Sequence, residues 1–195
     1  AHHSGDRKRV TPFDITSELH DSFARCRTDF IDIYVLHRDD LDAEVGPIVE
    51  VLNEHKAAGR IGVFGGSNWT VPRLQEANEY AYKHNLEAFT VSSPNYSLAE
   101  QVKEPWADCI SLSGPENADN RAWYAEQKMP LFTWSSLAQG FFCGRFTRET
   151  FEDYKENLPG SCVDAYCYEP NFTRLDRAGE LAAEKGLSVP QVALA

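Results

Sequence analysis

Apolar residues recur along this chain in two alternating rhythms. After Thr11-Pro12, the residues Ile15, Leu19, Phe23 and Cys26 fall three or four apart, which predicts a helix with one buried stripe. Residues 30–36 then form a short, mostly apolar run rich in β-branched and aromatic side chains, which predicts a buried strand. Pro47 opens a second helix carrying Ile48, Val51 and Leu52; it stops at Gly59, ahead of a second strand over residues 61–65. Thr70 and Pro72 start a third helix with Leu74, Ala77 and Ala81 on one face, followed by a strand near residues 88–91. Residues 119–128 read as a helix and residues 131–134 as a fourth strand. A Gly-rich, then acidic and aromatic loop leads to a helix marked by Leu175, Ala178, Leu181 and Ala182, and Ser188-Val189-Pro190 begins another. Residues 101–118, with Pro105, Ser113, Gly114 and Pro115, read as the longest loop.

Strands that are apolar nearly throughout, separated by helices, are covered on both faces, which predicts a parallel α/β sheet. Neither a linker nor a short repeat divides the chain, so residues 1–195 read as one domain. At 195 residues it is short for a complete (β/α)8 barrel, which takes about 250, so part of such a fold would be missing. The composition, 42% hydrophobic and 25% charged, is that of a globular protein, and no apolar run approaches a membrane span. A net charge of −11 argues against nucleic acid as a partner. The five cysteines (Cys26, Cys109, Cys143, Cys162, Cys167) are odd in number and scattered, which favours free thiols in a reducing cytoplasm. Cys162 and Cys167 lie five apart without a second pair or a histidine pair, so no metal site is expected. His2 and His3 read as a loop or a disordered end.

In parallel α/β folds ligands sit at the carboxyl ends of the strands. Those ends are polar here: His37-Arg38-Asp39-Asp40, then Gly66-Ser67-Asn68, then Ser92-Ser93-Pro94-Asn95-Tyr96, then Ser135-Ser136-Leu137-Ala138-Gln139-Gly140. His37-Arg38-Asp39 superficially matches a kinase catalytic loop, but Glu44 stands where that loop needs asparagine and no Asp-Phe-Gly follows. The glycines at 62–66 and 140–144 match neither a P-loop nor a dinucleotide fingerprint. Tyr34 lies inside an apolar strand with no lysine neighbour to lower its pKa, so it is not expected to act as an acid.

Taken in order, the strand ends resemble those of the aldo-keto reductase family. Residues 27–37 resemble its signature running into the active-site histidine, residues 59–68 the segment ending in a Ser-Asn pair, and residues 134–145 the loop along the cofactor. The resemblance implies a partial (β/α)8 TIM-type barrel, expected to be incomplete at both ends, whose first strand here matches the family's fourth and whose last matches its seventh, without the first three and the eighth. It implies an oxidoreductase that passes a hydride between NADP or NAD and a small-molecule carbonyl substrate. His37 would orient the carbonyl, while the family's tyrosine, lysine and aspartate belong to earlier strands. Ser67 and Asn68 would hydrogen-bond the carboxamide and Trp134 would stack on the nicotinamide. Ser135, Leu137, Gln139 and Gly140 would contact the pyrophosphate, with Arg145 as a charge partner. Ser93 replaces the family's glutamine, which removes one carboxamide contact, and Asp39 replaces a common proline. The segment that recognises the adenosine 2′-phosphate would follow Ala195, so the choice between NADP and NAD is not legible. Phe141, Phe142, Tyr166 and Tyr168 suggest an apolar or stacking substrate. A non-catalytic nucleotide- or partner-binding domain of the same fold is the competing reading, and open sheet edges would favour self-association or packing on absent segments.

Overall fold

The computed structural model describes residues 7–195, so the His2-His3 expectation lies outside the described residues. The described chain forms two compact units: residues up to Pro94 together with Trp123–Phe132, and Asn95–Ala122 together with Thr133–Ala195.

In the first unit, helix α1 (Pro12–Cys26) starts where expected: Thr11 accepts the backbone N–H of Asp14 at 3.2 Å, and Pro12 fills the first turn, where no backbone donor is needed. Ile15 and Leu19 are fully buried. Helix α2 (Val45–Ala57) buries Ile48, Val49, Val51 and Leu52, and α3 (Val71–Lys83) buries Leu74, Ala77 and Ala81 behind a Thr70 cap. The strands β1 (Ile31–Leu36), β2 (Ile61–Ser67) and β3 (Val91–Ser93) form a parallel sheet in the order β1-β2-β3, with α2 crossing from β1 to β2 and α3 from β2 to β3. Trp69, Phe64 and Phe89 fill the core beside it, with Phe64 and Phe89 edge to face at 5.5 Å.

The register depends on glycine. Gly65 lies opposite Val91, and a Cβ built on it would sit 1.9 Å from the Val91 carbonyl oxygen. Only a residue without a side chain lets β2 and β3 close here.

In the second unit, α5 (Phe151–Tyr154), α6 (Gly160–Tyr166), α7 (Glu169–Lys185) and α8 (Val189–Leu194) surround an aromatic core of Phe141, Phe142, Phe146, Phe151, Tyr166 and Phe172. Gly186 ends α7 in the left-handed conformation, and Ser188 with Gln191 forms the capping box of α8. Helix α4 (Ala118–Gln127) agrees with its expected position to one residue.

Four expectations need correction. Residues 131–134 are not a strand: Leu131 and Trp134 make only isolated parallel bridges, to Ser92 and Asn95 respectively. The third strand is displaced to residues 91–93, because Phe89 is taken into the core and Asn78 satisfies both its N–H and its carbonyl. The acidic and aromatic stretch is not a loop but carries α5 and α6. Phe141, Phe142 and Tyr166 are all fully buried there, so they form core rather than a substrate wall.

Candidate functional site

In the first unit the parallel register sets strand ends side by side: Leu36 faces Gly66, and Ser67 faces Ser93. Ser67 Oγ donates to the Ser93 carbonyl at 2.6 Å. Asn68 Nδ2 donates to Ser67 Oγ at 3.0 Å and to the His37 carbonyl at 3.2 Å, so one amide ties the ends of β1 and β2. Asn68 adopts φ +60°, a left-handed conformation asparagine tolerates better than most residues. Ser93 Oγ donates to the Phe132 carbonyl at 2.6 Å. These bonds hold the backbone at the end of β1 and leave the His37 side chain exposed there.

The segment after His37 is anchored by a residue that sequence reasoning missed. Arg73, on α3, donates through Nε to the buried Asp39 carboxylate at 3.0 Å and through its other nitrogens to the carbonyls of Asp40 and Ala43 and to Glu76. The Trp69 indole donates to the Arg38 carbonyl at 3.3 Å, and the Arg73 guanidinium lies 5.5 Å from the Trp69 ring. Burial pushes the Asp39 carboxyl up, and the Arg73 charge opposes it. Asp39 and Arg73 are 34 residues apart, so no local pattern could have paired them.

Tyr34 is no acid. Its hydroxyl donates to the Ile15 carbonyl at 3.4 Å, and burial, with the Glu18 charge, raises its pKa further from neutrality.

In the second unit, Trp134, Ser135, Leu137, Gln139 and Gly140 lie on one tight loop. Ser135, Ala138 and Gln139 all have φ between 51° and 53°, and Gly140 has φ 104°. Three non-glycine residues in left-handed conformation within five positions amount to concentrated backbone strain, a pattern that collects at ligand sites. The loop is held from outside it: Asn95 Nδ2 donates to the Trp134 carbonyl at 3.0 Å, and Ser161 Oγ donates to Gln139 Oε1 at 2.6 Å. Ser161 and Cys162, whose Sγ lies 3.3 Å from the Ala138 carbonyl, were not expected in this role, and nothing in their spacing signals it. The Trp106 ring, half exposed, lies 5.9 Å from that of Trp134.

Two side-chain donors on this loop are buried without a partner: Trp134 Nε1 and Gln139 Nε2. An unpaired buried N–H costs about 1–3 kcal/mol, so it is tolerated where a ligand oxygen meets it. Such donors, beside a strained loop, suit phosphate and carbonyl oxygens, which fits a dinucleotide better than a metal. Arg145 is exposed and bonded to the Tyr154 hydroxyl, apart from the unpaired donors in its hydrogen bonding. Among the described residues no group of histidine, cysteine or acidic side chains could hold a metal ion, and no helix is long and apolar enough to cross a membrane.

Helical crossovers between parallel strands with polar ends define an α/β architecture consistent with part of a (β/α)8 barrel. The family model described as "Aldo/keto reductase family" matches residues 2–195, and the chain belongs to that family. It is similar to a probable voltage-gated potassium channel subunit beta of Oryza sativa subsp. japonica, 26% identical over 189 residues, 93% of this chain and 52% of that protein. It is also similar to the aldo-keto reductase YhdN of Bacillus subtilis, 29% identical over 71% of this chain and 36% of that protein. An NADH-specific methylglyoxal reductase of Escherichia coli K12 is 31% identical over 74% of this chain and 40% of its own length. The chain thus spans about half, or less, of each of these relatives.

Proposed function

We propose that this chain carries the carbonyl-orienting histidine and the cofactor loop of an NAD(P)H-dependent oxidoreductase that reduces an aldehyde or ketone to an alcohol. The observation that carries the reading is the Gln139 side chain, whose buried Nε2 has no partner on a left-handed loop that resembles the family's cofactor loop. Bound nicotinamide would supply the hydride. His37, exposed at the end of β1 with its carbonyl tied to Asn68, donates a ring N–H to the substrate oxygen and fixes which face of the carbonyl is presented. Ser67 and Asn68 donate to the carboxamide only after releasing the Ser93 and His37 carbonyls, and Trp134 covers the ring. Ser135, Leu137, Gln139 and Gly140 hold the phosphates. Ser93 contributes position rather than a donor, since its hydroxyl is committed to Phe132. Arg145 supplies charge to the phosphates only after releasing Tyr154. The proton donor, with its lysine and aspartate, comes in this proposal from chain outside these residues. The five cysteines form no disulfide, which fits a cytoplasmic setting.

A non-catalytic reading, in which the same fold binds a nucleotide and a partner protein, is favoured by the similarity to a probable potassium channel subunit across 93% of the chain. Calorimetric titration with NADPH and with NADH tests the shared premise. Saturable binding of at least one of them, weakened about tenfold by Gln139→Leu as one good hydrogen bond would require, is expected. Heat of dilution alone with both nucleotides would contradict it.

A further inference from the structure

We infer that the second unit holds a site for a small carboxylate with an apolar body, gripped by Arg121 and separate from the unpaired donors of the cofactor loop. A cavity of about 600 Å³ opens there, and every residue lining it belongs to that unit. Pockets of about 300–1,000 Å³ take drug-sized ligands. Neither Trp134 nor Gln139, which carry the unpaired donors, lines it.

Arg121, on α4, supplies the chemistry. Its Nη1 donates to the carbonyls of Leu112 and Gly114, each at 2.6 Å, so the guanidinium is fixed by backbone rather than by an acid. An arginine has five N–H donors, and these bonds use two of them. The donors on Nε and Nη2 form the edge that takes a carboxylate in two parallel bonds, and among the described residues they have no partner. The other charged side chains on the wall, Arg174 and Glu100, are bonded to each other, so Arg121 leaves one positive charge unanswered. In a chain of net charge −11 no long-range field draws an anion in, and a site for one has to be built from fixed local donors. The hydroxyls of Thr133 and Ser136 lie 2.9 Å apart; their mutual bond uses one proton and leaves the other to donate. Tyr96 and Leu98, 42% and 41% exposed, give the same cavity apolar surface that a bound body would cover. A neutral ligand leaves the charge unanswered, and a bare inorganic anion leaves the apolar wall wet. One guanidinium matches the single charge of a carboxylate, whereas a phosphate dianion asks for a second cation.

The test titrates the purified protein, without nucleotide, with benzoate, benzamide and acetate while recording the side-chain Nε–H resonance of Arg121 by NMR. Benzoate is expected to shift it saturably. Benzamide lacks the charge and acetate the body, so each is expected to bind at least about tenfold more weakly. Arg121→Gln is expected to lose benzoate binding in calorimetry. Leu98→Trp, which fills the cavity and leaves the bonds of Arg121 to Leu112 and Gly114 in place, is expected to weaken it about tenfold and decides the matter should Arg121→Gln not fold. Added NADPH is expected to leave benzoate bound. The proposal is overturned by the absence of a saturable shift, by equal affinity for benzoate and benzamide, by full binding in either variant, or by displacement with NADPH. Because the benzoate titration is read without nucleotide, it decides this site whether or not the cofactor loop binds NADPH.

Discussion

Asp39 and Arg73 are both nearly buried, and neither is tolerable there without the other. Arg73→Leu strands a buried carboxylate and frees the carbonyls of Asp40 and Ala43, so it is expected to cost about 3–5 kcal/mol in denaturant unfolding, with part recovered by adding Asp39→Asn. An equal cost in the single and double variants would show that the ion pair is not the cause. His55, buried between α1 and α2, offers a pH signature. Arg60 donates to its Nδ1 at 3.1 Å and its Nε2 lies 3.0 Å from Thr16 Oγ1, which requires a neutral ring. Burial, with Arg60 and His20 beside it, holds its pKa below 6.5. Below that pH the unfolded chain binds a proton that the native chain refuses, so stability falls until the native ring also titrates. The unfolding midpoint is expected to drop as pH falls through the unfolded imidazole range near 6.5, and His55→Gln to flatten that drop. Neither feature shows in the sequence: Asp39 reads there as a loop substitution, and His55 as one residue of an amphipathic helix.

At the scale of elements, caps and stripes were legible because they are local. Thr11-Pro12 and Thr70 mark the starts of α1 and α3, and Gly186 the end of α7, each through its own backbone geometry. Residues 131–134 misled because an apolar β-rich run specifies extended chain but not a ladder, which needs a neighbour in register. Helices α5 and α6 were missed because each is too short for a periodic stripe to show. Phe141, Phe142 and Tyr166 look alike as pocket and as core in a sequence, and only the packing separates the two. The glycines of β2 are where sheet geometry is least forgiving. Gly65→Ala is expected to cost about 1–3 kcal/mol or more by forcing β3 away from β2, whereas Gly179→Ala, with open space around its Cβ, is expected to be neutral or stabilising. Similar thermal midpoints for the two variants would contradict this.

At the scale of the whole molecule, β1 pairs only with β2 among the described residues, and Phe30 and Ile33 beside its edge are each 42% exposed. An apolar strand with one unpaired edge is expected to self-associate as concentration rises, and a size-exclusion profile independent of concentration would contradict that. Tyr34 is buried and held protonated by its surroundings, and no other tyrosine is proposed as proton donor. The chain alone is therefore expected to turn over no aldehyde with NADPH; sustained consumption of NADPH that depends on aldehyde would show otherwise. Binding is a separate matter, because it draws on the loop this chain does contain. The most direct test is tryptophan emission during titration with NADPH. Saturable quenching that Trp134→Ala largely abolishes, and that Trp123→Ala leaves in place, is the predicted result. Quenching that persists in Trp134→Ala, or no saturable change at all, would contradict the cofactor site proposed for this chain.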